Sequence, residues 1–162
     1  MPHFADTYLG RLRQSVGRRL LLVPGARIII EDDEGRILLQ ERTDFKLWGL
    51  PGGNAEVGED ITSIIEREVK EEVCLDVFRP KVFGVASNPV HETITFPNGD
   101  RCQFFVTLFF TRSFSGLAKS NDDETLSVGW FSPATLPAML ANMQYTVEAY
   151  SRFKLTGEFQ MI

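Results

Sequence analysis

The sequence predicts an α/β fold in which helices pack on a mixed β-sheet, and three observations carry that expectation. β-type runs rich in Ile, Val and Phe recur along most of the chain, bounded by Gly, Pro, Asn and Asp. Two segments, 61–73 and roughly 138–153, read instead as helix. The composition, 43% hydrophobic and 24% charged over 162 residues, suits one globular domain with a real core. The domain is expected to cover 1–162, with an N-terminal helix within 1–17 and the core over 26–153.

From the N-terminus, ADTYLGRLRQSVG (5–17) spaces Tyr8, Leu9, Leu12 and Val16 like a short amphipathic helix that caps the domain. ARIIIEDDEGRILLQER (26–42) is two apolar runs around Asp32-Asp33-Glu34-Gly35, which predicts a hairpin. TDFKLWGLPGGNAEVGE (43–59) carries four glycines and a proline and reads as a loop. Asp60 then caps a helix from Ile61 to about Val73. KVFGVAS (81–87), ETITF (92–96) and CQFFVTLFFTRSF (102–114) read as strands, the last two joined by a PNGD turn. LAKSNDDET (117–125) is a polar loop, SVGWF (127–131) a further strand, and Ala138 to Phe153 the last helix.

The formal net charge of -5 argues against a protein that wraps a nucleic-acid polymer. It does not exclude a phosphorylated small molecule, because a bound divalent cation reverses the local sign. Cys74 and Cys102 lack CxxC spacing and read as reduced thiols of a cytoplasmic protein. The apolar stretch LLLVPGARIII (20–30) is too short for a membrane span and is interrupted by Pro24-Gly25 and Arg27.

The segment EREVKEEV (66–73) raises the chemical question. On a helix at about 100° per residue, Glu68, Glu71 and Glu72 share an arc with Ile61, Ile64 and Ile65, flanked by Val69 and Val73. Glu66 and Lys70 point outward as a favourable pair. Three carboxylates on or beside the inward face repel one another, oppose the helix dipole in the last turn and resist desolvation. Arg67 compensates one of them, and the rest need another cation. Oxygen ligands favour a hard divalent ion, Mg2+ or Mn2+ above all. Gly52-Gly53 and Gly58 just upstream allow the close backbone approach that aims a main-chain carbonyl at the same ion. There is no Walker A pattern and no GxGxxG.

Together these spacings are far more specific than their parts. From Gly53, five residues lead to Glu59 and seven more to Arg67, followed by Glu68, Val69, Glu71, Glu72 and Leu75. The pattern closely resembles the Nudix box, G-x5-E-x7-R-E-U-x-E-E-x-G-U with U a bulky aliphatic, and Cys74 stands where the last glycine is expected. ILLQER, WGLPGG and WFSPATLP also look like Nudix elements in their usual order.

The resemblance implies a Nudix-type α/β/α sandwich with a central mixed sheet, and a Mg2+- or Mn2+-dependent pyrophosphohydrolase. Its substrate would be a nucleoside diphosphate linked to another group: a nucleotide sugar, ADP-ribose or a nucleoside triphosphate. Glu68, Glu71, Glu72 and the Gly53 carbonyl would be the metal ligands, with Glu59 and Arg67 a supporting ion pair. Glu68 or Glu72 is the first choice for general base and Glu124, in the acidic loop, the second. Arg42 would reach a substrate phosphate, or else pair with Asp44. Trp48 and Trp130 read as packing residues, and Phe104, Phe105, Phe109 and Phe110 as core; His3 and His91 offer no ligand pair. Cys74 is read as a stability cost of about 1 kcal/mol if the chain there is left-handed. A homodimer fits the resemblance. The competing readings are a non-catalytic Nudix domain for nucleotide sensing or protein interaction, which would not need the intact carboxylates, and a prenyl diphosphate isomerase, which the complete box disfavours.

Overall fold

A computed structural model describes residues 4–121 and 124–162. His3 and the Asp122 and Asp123 part of the acidic loop lie outside the described residues. In chain order, a 3-10 turn (Phe4–Asp6) leads into α1 (Tyr8–Val16), β1 (Leu21–Ile30), β2 (Ile37–Arg42), β3 (Trp48–Gly49), β4 (Gly52–Asn54) and α2 (Ile61–Val73). Then come β5 (Asp76–Val77), β6 (Lys81–Ala86), α3 (Pro89–Glu92), β7 (Thr93–Thr95), β8 (Arg101–Thr111) and β9 (Phe114–Ser115). β10 (Thr125–Phe131), α4 (Ala141–Thr156) and β11 (Gln160–Met161) complete the chain.

β1 organises the molecule. It pairs in parallel with β8 along its whole length and antiparallel with β4, inside a mixed sheet of order β11-β6-β8-β1-β4 with β7 added to β8. Its side chains alternate between two cores, as a strand covered on both faces requires. Ala26, Ile28 and Ile30 pack against Ile64, Ile65, Val69 and Val73 of α2. Ile29 packs on the opposite side with Val147, Ala149 and Tyr150 of α4. The result is the expected sandwich of helices on a mixed sheet. No helix of the described residues is long and apolar enough to cross a membrane.

Several local expectations are corrected. The turn at 32–36 forms as predicted, with the Asp32 carboxylate accepting from the Arg36 N–H (2.8 Å). Its strands make only the isolated bridge Glu31–Ile37 and then separate into different sheets, β1 with β8 and β2 with β10. The loop over 43–59 contains β3 and β4, whose glycines leave pairing to be set by the neighbouring strand. Glu92 closes the short helix α3 instead of opening a strand, with the Asn88 side chain capping the Val90 N–H. The 102–114 run breaks into β8 and β9, and Phe105 is 46% exposed rather than core. The last helix starts at Ala141 and runs to Thr156. On α2, Ile61 is 48% exposed, and Lys70 pairs with Asp76 (2.8 Å) rather than Glu66. Cys74 explains that exchange: at φ 61° and ψ 19° it turns the chain sharply after the helix and brings Asp76 back beside Lys70.

Candidate active site

The site begins with the cap of α2. The Asp60 carboxylate accepts from the Thr62 and Ser63 N–H groups, each at 2.9 Å, and so fixes where the helix starts. Burial of Ile64, Ile65, Val69 and Val73 then fixes its rotation. Glu68 and Glu72 follow one turn apart and meet β4. The Gly52 N–H donates to Glu72 Oε2 at 2.9 Å. A Cβ on Gly53 would displace the Glu68 carboxylate, so glycine there lets that carboxylate come close to the strand. Gly53 is the register partner of Ala26. The flanking bonds Ile28 N–H to Pro51 O and Ala55 N–H to Pro24 O put that pair on the hydrogen-bonded step of the ladder, so the Gly53 carbonyl points at β1.

Arg67 is the hub of the charges. It donates to both oxygens of Glu59 (2.5 and 3.0 Å), to Glu68 Oε1 (2.7 Å), to Glu71 Oε2 (3.3 Å) and to the Asn54 carbonyl (3.1 Å). Its bond to Glu59 holds that carboxyl below its usual pKa range. Arg67 thus answers Glu68 and Glu71 as well as its predicted partner. Among the described residues no three acidic, His or Cys side chains already enclose a cation position.

Burial pushes the Glu68 carboxyl up to about 7, against the pull of Arg67. Burial, with the charge of Glu68 beside it, pushes Glu72 up to about 8, although Gln40, the Gly52 N–H and Arg42 favour its anion. Glu72 is 3% exposed. Two such groups side by side either hold protons or share a cation. The two carboxyl groups offer oxygen to that cation, which suits a hard divalent ion.

The other predicted residues line the same cavity of about 580 Å3, which holds Gly53, Arg67, Glu68, Glu71, Glu72, Arg42 and Glu124. Glu59 braces Arg67 from behind. The Glu124 carbonyl is tied to the Thr43 N–H (2.9 Å), and the Glu124 charge acts on both Glu68 and Arg42. Arg42 is committed to Asp44 by a two-pronged contact of 3.0 and 2.8 Å while lining the cavity.

Four functional candidates have no counterpart in the sequence reading. Gln40, 1% exposed, accepts from Thr125 Oγ1 (2.6 Å); its buried amide nitrogen makes no hydrogen bond among the described residues and favours the Glu72 anion. Arg27 clamps both oxygens of Glu92 (3.2 and 3.1 Å) and donates to Thr146 Oγ1 (2.7 Å). Glu92 in turn accepts from the Asn142 amide (3.2 Å), leaving Asn142 Oδ1 at the cavity wall as a buried acceptor without a partner among the described residues. The signal was present for one of them: an arginine inside the apolar run ARIII demands a buried acid somewhere else in the chain.

The description "NUDIX domain" matches residues 21–150. A provisionally named 8-oxo-dGTP diphosphatase of Bacillus subtilis is 31% identical over 116 residues, covering 72% of this chain and 70% of that protein. An ADP-ribose pyrophosphatase of Methanocaldococcus jannaschii is 29% identical over 140 residues, covering 84% and 78%. Among solved structures, a MutT NUDIX hydrolase from Burkholderia pseudomallei superimposes with a TM-score of 0.68 at 26% identity, covering 79% of this chain and 97% of that one.

Proposed function

The chain belongs to the NUDIX family, and from that premise we propose that it is a Mg2+- or Mn2+-dependent pyrophosphohydrolase acting on a nucleoside diphosphate linked to a further group. The observation that carries this reading is the pair of buried Glu72 and part-buried Glu68, side by side against Gly52-Gly53 with their carboxyl pKa values raised. Such a pair favours a divalent cation over solvent. Glu68, Glu71 and Glu72 would hold it, with the Gly53 carbonyl as a further ligand through the lone pair that β1 does not use. Bound there, the ion supplies charge neutralisation for the phosphate oxygens and polarises the attacking water.

The chain's own residues do the rest. Arg67 restrains Glu68 and Glu71, and Glu59 restrains Arg67, so both carboxylates keep fixed positions until a cation competes with Arg67 for them. Water attacks phosphorus in line, the bridging P–O bond breaks, and the electron pair leaves with the departing phosphate. A carboxylate of the cavity takes the proton from water, Glu68 or Glu72 in first place and Glu124, beside Arg42, in second. Arg42 exchanges Asp44 for a substrate phosphate, which its planar fork fits equally well. The named substrates of the two sequence relatives, 8-oxo-dGTP and ADP-ribose, both contain a nucleoside diphosphate. Asn142 Oδ1, fixed as an acceptor because Glu92 holds its amide, matches an N–H on a base.

The test is a screen of nucleoside triphosphates, nucleotide sugars and ADP-ribose with and without Mg2+ or Mn2+. We expect cleavage of at least one class within the diphosphate, abolished by chelation. Cleavage that survives chelation, or no cleavage in any class, overturns the reading.

A further inference from the structure

Residues 4–17 lie outside the stretch matched by the family description, yet Phe4, Thr7 and Leu9 line the same cavity as Gly53 and Glu68. The segment is firmly built. Three successive carbonyls of the 3-10 turn accept side-chain bonds from Thr7 and α1: Phe4 O from Thr7 Oγ1 (2.8 Å), Ala5 O from Gln14 (3.3 Å) and Asp6 O from Arg11 (2.7 Å). Gly10 makes room for the turn, since a Cβ there would collide with the Phe4 carbonyl. α1 is in turn fastened to the loop that carries Gly53 and Glu59. Both oxygens of Glu56 accept from the Tyr8 N–H, at 3.0 and 2.9 Å. On its other side, Arg13 donates to the Arg101 carbonyl and to Cys102 Sγ, joining α1 to β8.

Despite this anchoring the Phe4 ring is 47% exposed. A large apolar side chain left in water on an immobilised backbone, at the wall of a cavity, is preorganised for a contact that the described residues do not make. The cavity supplies partners of the same kind. Phe45 and Phe96 lie with ring centroids 5.5 Å apart, and Phe96 and Phe104 at 6.3 Å. These rings share one cavity with the carboxylates of α2, so an occupant that reaches both must join a flat apolar group to phosphate.

We propose that the N-terminal segment is part of the substrate site, with Phe4 acting together with Phe45 and Phe96 as an aromatic clamp on the nucleoside base. This rests on the hydrolase reading for the substrate class and is tested without turnover. Binding of adenosine and guanosine 5′-monophosphate, and of ribose 5-phosphate, would be measured by titration calorimetry on metal-free protein. For wild type we expect the nucleotides to bind more tightly than ribose 5-phosphate. Phe4→Ala should weaken the better nucleotide about tenfold, the scale of one base–aromatic stack. It should leave ribose 5-phosphate binding and the circular dichroism spectrum unchanged, because the ring is exposed. Phe4→Tyr, which keeps the ring, should restore nucleotide affinity. Equal nucleotide affinity in Phe4→Ala and wild type overturns the proposal, as does equal loss for ribose 5-phosphate or failure of wild type to bind either nucleotide. Loss of metal-dependent hydrolysis in the substrate screen would instead count against the hydrolase reading, with the calorimetry unaffected.

Discussion

Two parts of one cavity are built on opposite physical principles. The part formed by β4 and α2 gathers charge: Glu68, Glu71 and Glu72 beside one shared arginine, with glycine where Glu68 needs the space. The part formed by Phe4, Phe45, Phe96 and Asn142 is mostly rings, with a single buried acceptor whose orientation is set by Glu92 and Arg27. In the first, repulsion and desolvation are left unrelieved by the chain itself, and a cation would relieve them. In the second, every buried charge is already paired, so what remains on offer is shape and one hydrogen bond. On the proposed reading, chemistry belongs where the protein is electrostatically unsettled, and selectivity where it is settled.

Glu72→Gln should strike the first part hardest. An amide is a poor ligand for a hard ion, so kcat should fall about a hundredfold to a thousandfold, with the circular dichroism spectrum unchanged. Turnover near wild type would remove Glu72 from the site. Arg27→Met probes the second part and should act on stability first. It leaves Glu92 buried without its cation, which costs about 3–5 kcal/mol, seen as a lower urea midpoint. Arg27→Met/Glu92→Leu should recover much of that loss; a double variant no better than the single one would show that the pair does more than neutralise itself. The smallest effect belongs to the junction after α2. Cys74→Gly relieves a left-handed non-glycine residue at φ 61° and should stabilise by about 1 kcal/mol, with kcat unchanged and an unaltered denaturant slope. A midpoint that stays put or falls would mean that the Cys74 side chain compensates its own backbone.

The same contrast decides how much could be read from the amino acids alone. α2 is legible from Ile61 to about Val73 because Asp60 and the Ile64–Val73 spacing are local signals, and the carboxylates with Gly53, Glu59 and Arg67 lie within one short run. The inward phase of Glu68 and Glu72 followed from that periodicity. The aromatic part stayed hidden because Phe4, Phe45, Phe96 and Asn142 come from four separate segments, brought together only by the pairing of β1 with β8 and the docking of α1 and α4. Gly-rich β4 read as loop because its register is imposed by β1, not by its own side chains. The 26–42 hairpin failed for a related reason: a turn signal fixes a reversal of direction, whereas the partners of each strand are chosen by longer ladders elsewhere.

The alternation of β1 carries a last consequence, for sequence change. Even positions Ala26, Ile28 and Ile30 answer to α2, while odd positions Arg27 and Ile29 answer to α4 and the Glu92 cluster. The strand therefore has a parity, and tolerance depends on whether a change preserves it. Exchanges among Ile, Val and Leu keep every residue on its own side. One residue inserted or lost just before Ala26 would invert the frame and turn Arg27 toward Val69, where nothing in that core could answer its charge.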